Sequence, residues 1–213
     1  LNLPAAKIMV DDYGGVLVDS NLCTTAPSGN VYAAGDVVGR PFLASTGVAQ
    51  AKAAVNAMFG SLEQTECAEG DLACSADGVS QAGTSFDPAS LASNPFAFPT
   101  GVWSSPEAAY YGFTSQQAKD RGIQAGEGIA LYAECLRGRV FSPNGLLKLV
   151  FDKKSGRILG VHICGDDACE LIHYGMELVK GQRTIVELSQ AMFSAVTFHE
   201  MYRVAAQAGL DEA

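Results

Sequence analysis

The chain has no Cys-x-x-Cys pair, although it holds six cysteines: Cys23, Cys67, Cys74, Cys135, Cys164 and Cys169. A thioredoxin-like redox pair and a zinc ribbon are therefore not supported. It is short of positive charge, with 14 Lys and Arg against 23 Asp and Glu and a net charge of −9. That balance argues against nucleic acid or an anionic membrane surface as partner. No apolar run approaches the roughly 20 residues of a membrane-spanning helix, so membrane insertion is not expected. Histidine is scarce, with three in all, and His162 and His173 have no acidic or cysteine partner at ligand spacing. No metal site is expected from them, and a structural role is the simpler reading. There is no initiator Met and no secretory leader; the opening at Leu1 reads as mid-protein, so a piece of a longer protein is expected. What is present is ample apolar material, 48% of 213 residues, enough for one large domain or one and a half ordinary ones.

Three regions differ in character. Residues 1 to 60 read as an α/β piece, with apolar strands at Gly15–Val18 and Val31–Ala34. A small-residue helix follows from about Ser45 to Met58, closed by Gly60. Residues 61 to 95 are an acidic Gly/Ser/Ala-rich insertion or linker without Lys or Arg, expected to be loose and available to a protein partner. Cys67 and Cys74 fall in it, either as a local disulfide or as two exposed thiols. The remainder, to residue 213, reads as α+β. Strands are expected at Thr100–Trp103 and Gly128–Cys135, and a hairpin at Leu146–Phe151 and Arg157–Cys164 around the turn Asp152–Gly156. Helices are expected at Ser115–Arg121, Ala168–Lys180, Ile185–Met192 and Phe198–Ala208. This pattern fits an antiparallel meander with helices on one face. Cys164 and Cys169 are compatible with a metal pair or with two buried thiols, the second being favoured. In the helix from Ala168, Ile172, Met176 and Val179 form one apolar stripe and Leu171, Tyr174 and Leu178 another, which predicts that a second copy covers one of them.

The most informative segment is Asn30–Asp36, a strand ending in Gly35 and Asp36. Glycine lets a ligand approach the backbone, and an acid at the carboxyl end of an α/β strand stands where such folds bind ligands. A turn aspartate after a strand is the plain alternative. Leu43-Ala44-Ser45 then leads into a helix that opens on small residues. Its free N–H groups and positive end suit a flat, electron-rich ring; an ordinary capped helix is again the plain alternative.

Tyr32-Ala33-Ala34-Gly35-Asp36, Leu43-Ala44-Ser45 and Ala49-Gln50, taken in order, resemble the second FAD fingerprint of the FAD-dependent pyridine nucleotide–disulfide oxidoreductases. Downstream, Trp103–Gly112, Phe113–Lys119, Lys148-Leu149-Val150, Ile158–His162 and Glu170-Leu171-Ile172 resemble that family's dimerisation domain. The resemblance covers all but residues 61 to 95. It implies an α/β end of an FAD-binding Rossmann-like domain over 1–60 and an α+β dimerisation domain over 96–213. It further implies FAD held by Gly35, Asp36, Leu43, Ala44 and Ser45, NAD(P)H bound by a part that precedes Leu1, and a homodimer through 96–213. A soluble protein is expected, of the cytoplasm or of an organelle matrix or stroma, with the compartment left open.

One departure bears on chemistry. Disulfide reductases of the family carry His-Pro-Thr-x-x-Glu near the C-terminus, the histidine moving protons for a dithiol in the partner's site. Here the stretch is Ala195-Val196-Thr197-Phe198-His199-Glu200. Alanine cannot transfer a proton, so disulfide reduction is in doubt. His199 and Glu200 are the replacement acid–base candidates, against a structural role for His199. The ending Tyr202–Ala206 resembles the transhydrogenase branch, whose hydride exchange between nicotinamides through FAD needs no dithiol. The rivals are a dihydrolipoamide dehydrogenase-like disulfide reductase with an altered proton donor, and a non-catalytic assembly relative that keeps the dimerisation domain.

Overall fold

The computed structural model describes residues 1–39, 42–60 and 98–212. The expected insertion, with Cys67 and Cys74, lies outside them. The chain forms two compact units, Leu1–Asn94 and Pro95–Ala213.

In the first unit the helix stands as expected: α1 spans Ala44–Phe59 and ends at Gly60, whose φ is +77°. Its buried residues Thr46, Gln50 and Ala54 recur every fourth position and form one inward stripe. The two strands do not. Gly15–Val18 and Val31–Ala34 contribute only isolated bridges, Val16 to Val10, Val18 to Thr24 and Tyr32 to Cys23. Residues 22–24 and 31–33 pair as a narrow antiparallel ribbon, Thr24 N–H donating to the Val31 carbonyl (2.8 Å) and Ala33 N–H to the Leu22 carbonyl (3.1 Å). Val31 is exposed rather than buried. A buried parallel strand needs neighbours on both sides, and among the described residues this one has a neighbour on one side only.

The second unit is built on a five-stranded antiparallel sheet in the order β1-β2-β5-β4-β3. The strands are β1 Thr100–Val102, β2 Ala108–Gly112, β3 Ala125–Leu131, β4 Leu146–Asp152 and β5 Ile158–Cys164. The β4–β5 hairpin forms as expected. Its turn is fixed by Asp152, which accepts from Lys154 N–H (3.1 Å) and the Ser155 hydroxyl (2.6 Å). Two corrections concern the other strands. β2, Ala-Ala-Tyr-Tyr-Gly, was absent from the strands read by periodicity, although it falls in the Trp103–Gly112 stretch that resembles the family's domain; it pairs with β5, so the sheet is a three-stranded meander extended by a second hairpin. β3 starts and ends earlier than expected, and Tyr132–Glu134 is a 3-10 turn.

Alternation divides the sheet. Ala109, Tyr111, Ala130, Leu147, Leu149, Phe151, Val161 and Ile163 point inward and are buried. The helices are α2 Ser115–Asp120, α3 Leu136–Phe141, α4 Ala168–Lys180, α5 Ile185–Ser189 and α6 Glu200–Asp211. α4 and α6 cover the inward face. Ser115 at the start of α2, however, hydrogen-bonds Glu127, which points outward from β3, so one short helix lies on the opposite side. The Ser115 hydroxyl and Lys148, 3.3 Å from Glu127, hold that carboxyl below the usual carboxylate range.

Both apolar stripes of α4 are already covered within this unit: Leu171, Ile172, Leu178 and Val179 are buried, and Tyr174 and Met176 pack on the same core. α4 lies between the sheet and the segment Phe193–Tyr202, with the Tyr202 hydroxyl donating to the Leu171 carbonyl (2.7 Å). The expectation that α4 offers a stripe to a second copy is therefore overturned. Exposed apolar side chains lie instead on the outward face of the sheet, among them Val102, Tyr110, Ile129, Leu131 and Leu146.

Candidate flavin edge and the loop before the last helix

Gly35 opens a 3-10 turn, Gly35–Val38, with a φ of +81°. Such a value suits glycine, because other residues crowd their own carbonyl there. Its N–H donates to the Gln50 side-chain oxygen of α1 at 2.6 Å. A Cβ on Gly35 would lie 3.7 Å from Gly47 Cα, so turn and helix meet backbone to backbone. Asp36 stands beside this junction with its carboxylate exposed. Leu43 is the N-cap of α1, and its side chain cannot accept a hydrogen bond; no side chain caps the helix. Ala44 and Ser45 are exposed in the first turn, at the positive end of a 16-residue helix. In the same turn the buried Thr46 hydroxyl has no hydrogen-bond partner among the described residues. Gly35, Asp36, Leu43, Ala44 and Ser45 are thus brought to one end of α1, where a helix N-terminus and one carboxylate have the chemistry that a polar, partly anionic cofactor such as FAD would need. Gln50, which ties the two segments together, stands in the fingerprint as Ala49-Gln50 but was not named among the cofactor-binding residues. The signal was a long polar side chain on the inward stripe of a helix made mostly of small residues.

His199 and Glu200 are adjacent, and no hydrogen bond joins them. The His199 ring lies among Tyr174, Phe193 and Tyr202, with centroids 5.8, 6.4 and 6.1 Å away. Burial there pushes its pKa down from the ordinary value. Glu200 accepts from the backbone N–H groups of Val196 (2.9 Å) and Thr197 (3.3 Å). Val196 carries a left-handed φ of +61°, a feature no sequence signal announced. Ala195 is exposed. Elsewhere, the four described cysteines are free, and no group of three or more metal-ligating side chains occurs among the described residues. An open hollow of about 540 Å³ is lined by Gly122, Ile123, Gln124 and Asp152–Lys154, and no candidate residue borders it. No helix among the described residues is long and apolar enough to cross a membrane.

Residues 98–206 match the dimerisation domain of the pyridine nucleotide-disulphide oxidoreductases. The chain belongs to that family. Among curated relatives, the soluble pyridine nucleotide transhydrogenase of Mycobacterium tuberculosis is 31% identical over 97% of this chain and 38% of its own length. That of Colwellia psychrerythraea is 32% identical over 99% of this chain and 40% of its own length. The chain therefore spans about two fifths of these relatives (38% and 40%). Among solved structures, the HOCl-induced flavoprotein disulfide reductase RclA from Escherichia coli superposes with a TM-score of 0.73 at 21% identity, covering 97% of this chain and 41% of that one. LpdA from Mycobacterium tuberculosis gives 0.68 at 22%, covering 97% and 39%. At these identities the superpositions speak for the fold.

The histidines set an acid limit on stability. Burial lowers the pKa of both His162 and His199 from 6.5, so the folded state resists a proton that the unfolded chain accepts. Their contribution is complete above about pH 6.5 and is lost as pH falls below it. The Tm should accordingly be lower at about pH 5.5 than at about pH 7.5, and His199→Phe should flatten that difference. A Tm that is unchanged or higher at the acid pH would contradict this.

Proposed function

We propose that this chain supplies half of an FAD site and the dimer interface of a flavin-dependent NAD(P) oxidoreductase of transhydrogenase type. The observation that carries the choice of type is Ala195, where the family's disulfide reductases place a proton-carrying histidine. His199 does not take over that role in this reading, because its ring packs among three aromatic side chains. The soluble transhydrogenases among the relatives lend the same direction.

Asp36 would accept hydrogen bonds from cofactor hydroxyls, and the uncapped first turn of α1 would face negative charge at the ring edge. Gln50, by holding the Gly35 N–H, keeps the Asp36 turn docked on the helix. Bound there, FAD supplies a ring that takes hydride from one nicotinamide and gives it to another. NAD(P)H itself would bind to a part of the protein outside this chain. A homodimer through 96–213 would cover the outward apolar face of the sheet.

In the full-length protein, Asp36→Ala should lower flavin content after dialysis by on the order of tenfold or more, the loss expected when a charged hydrogen-bond partner is removed. Flavin absorbance per protein equal to that of the parent would remove Asp36 from the site.

A further inference from the structure

We propose that Glu200 is a positioning residue, the carboxylate that holds the Ala195–Thr197 loop in a strained shape. For its functional half this rests on the reading above together with the family resemblance, which implies that this stretch stands in the partner's site. The structural half stands alone. Val196 is β-branched, and a left-handed φ of +61° is an outlier for such a residue. Conformations of this kind persist where the surroundings over-determine them, and they gather at functional sites.

Here the determinants are specific. One oxygen of Glu200 accepts both the Val196 and Thr197 N–H groups, at 2.9 and 3.3 Å. The Thr197 hydroxyl donates to the Ser194 carbonyl at 2.8 Å, closing the loop from the other side. Phe198, next along, is buried with its ring 4.8 Å from Tyr132. Glu200 itself is anchored, because Met201 and Tyr202 after it are fully buried. A carboxylate in the first turn of α6 is also favoured by the helix's positive end. The tie is thus partly buried, while what it holds out is exposed: Ala195, Val196 and, just before them, Met192. An exposed apolar loop, kept in a costly shape by dedicated hydrogen bonds, is built as a contact surface. This accounts for a glutamate that bonds no imidazole: its bonds go to the loop backbone, while His199 turns into the aromatic cluster.

The test uses the complete FAD-loaded protein and the variants Glu200→Ala, Glu200→Gln and Val196→Gly with Glu200→Ala. In Glu200→Ala the Val196 and Thr197 amides should exchange about tenfold faster or more, with Met201–Ala205 still protected. Glu200→Gln keeps an acceptor oxygen and should fall between, deciding the matter if the alanine variant does not fold. Adding Val196→Gly removes the penalty at φ +61° and should return part of the Thr197 protection. If the loop positions the flavin edge, Glu200→Ala should lower kcat for hydride exchange by roughly tenfold with KM for the nucleotides held within about twofold. Unchanged amide exchange overturns the clamp. Faster exchange with an unchanged kcat overturns the positioning role. If the parent protein exchanges no hydride between nicotinamides, the functional reading falls, and the amide data alone decide the clamp.

Discussion

Gly128→Ala should lower the Tm by roughly 8 °C or more, the shift expected for about 3 kcal/mol of overpacking in a chain of this size. β3 and α6 cross at Gly128 with backbone against backbone. A Cβ there would collide with the Ala205 carbonyl oxygen and would stand 2.9 and 3.0 Å from the nitrogen and Cα of Gly209. Neither partner can rotate away as a side chain would. α6 cannot lift off either, because Met201, Tyr202, Ala205 and Ala206 are fully buried beneath it. Gly209→Ala makes a useful contrast. Its Cβ would meet the Phe151 ring at 2.8 Å, and a ring edge can shift where a backbone cannot. Calorimetry should therefore rank Gly128→Ala well below Gly209→Ala, and the opposite order would mean that this crossing does not limit the fold.

That crossing also explains why part of the fold was illegible in the sequence. The inward residues of β3 are Gly126, Gly128 and Ala130: Gly128 lies against the backbone of α6, and Gly126 against the Phe151 ring. An apolar alternation was therefore muted, and the strand was placed three residues late. β2 was obscured for a related reason, its inward positions being Ala109 and Tyr111 rather than branched aliphatics. β4, β5 and α4 carry large apolar groups at their proper periods and were readable to within a residue. The end of the chain was harder. Apolar content suggested a helix from Phe198, but Phe198 is drawn under Tyr132 and α6 begins at Glu200.

At the candidate site, glycine and acid marked Gly35 and Asp36, and small residues marked the start of α1. What the residues could not reveal was bonding over distance. Gln50 reaches Gly35 across 15 positions, and no local pattern encodes that. The role of Glu200 was equally hidden, since it depends on the left-handed turn at Val196. The oligomer argument failed for a tertiary reason: both stripes of α4 are apolar, and residues 193–202 fold back to cover the one the sheet leaves free.

The second large effect concerns proton chemistry. Turnover of a disulfide requires protons to reach and leave sulfur, and a positioned acid–base group contributes roughly 10²–10⁴-fold to such steps. Ala195 offers none, Glu200 is committed to two backbone N–H groups, and the His199 ring is packed among aromatics. Hydride passage between nicotinamides asks for no such group at this loop. The most direct measurement takes one preparation of the full-length FAD-loaded protein. It compares the rate of hydride exchange between NADPH and an NAD⁺ analogue with the rates of lipoamide and glutathione disulfide reduction. Hydride exchange should exceed either disulfide rate by roughly two orders of magnitude or more. Disulfide reduction as fast as hydride exchange would contradict the account.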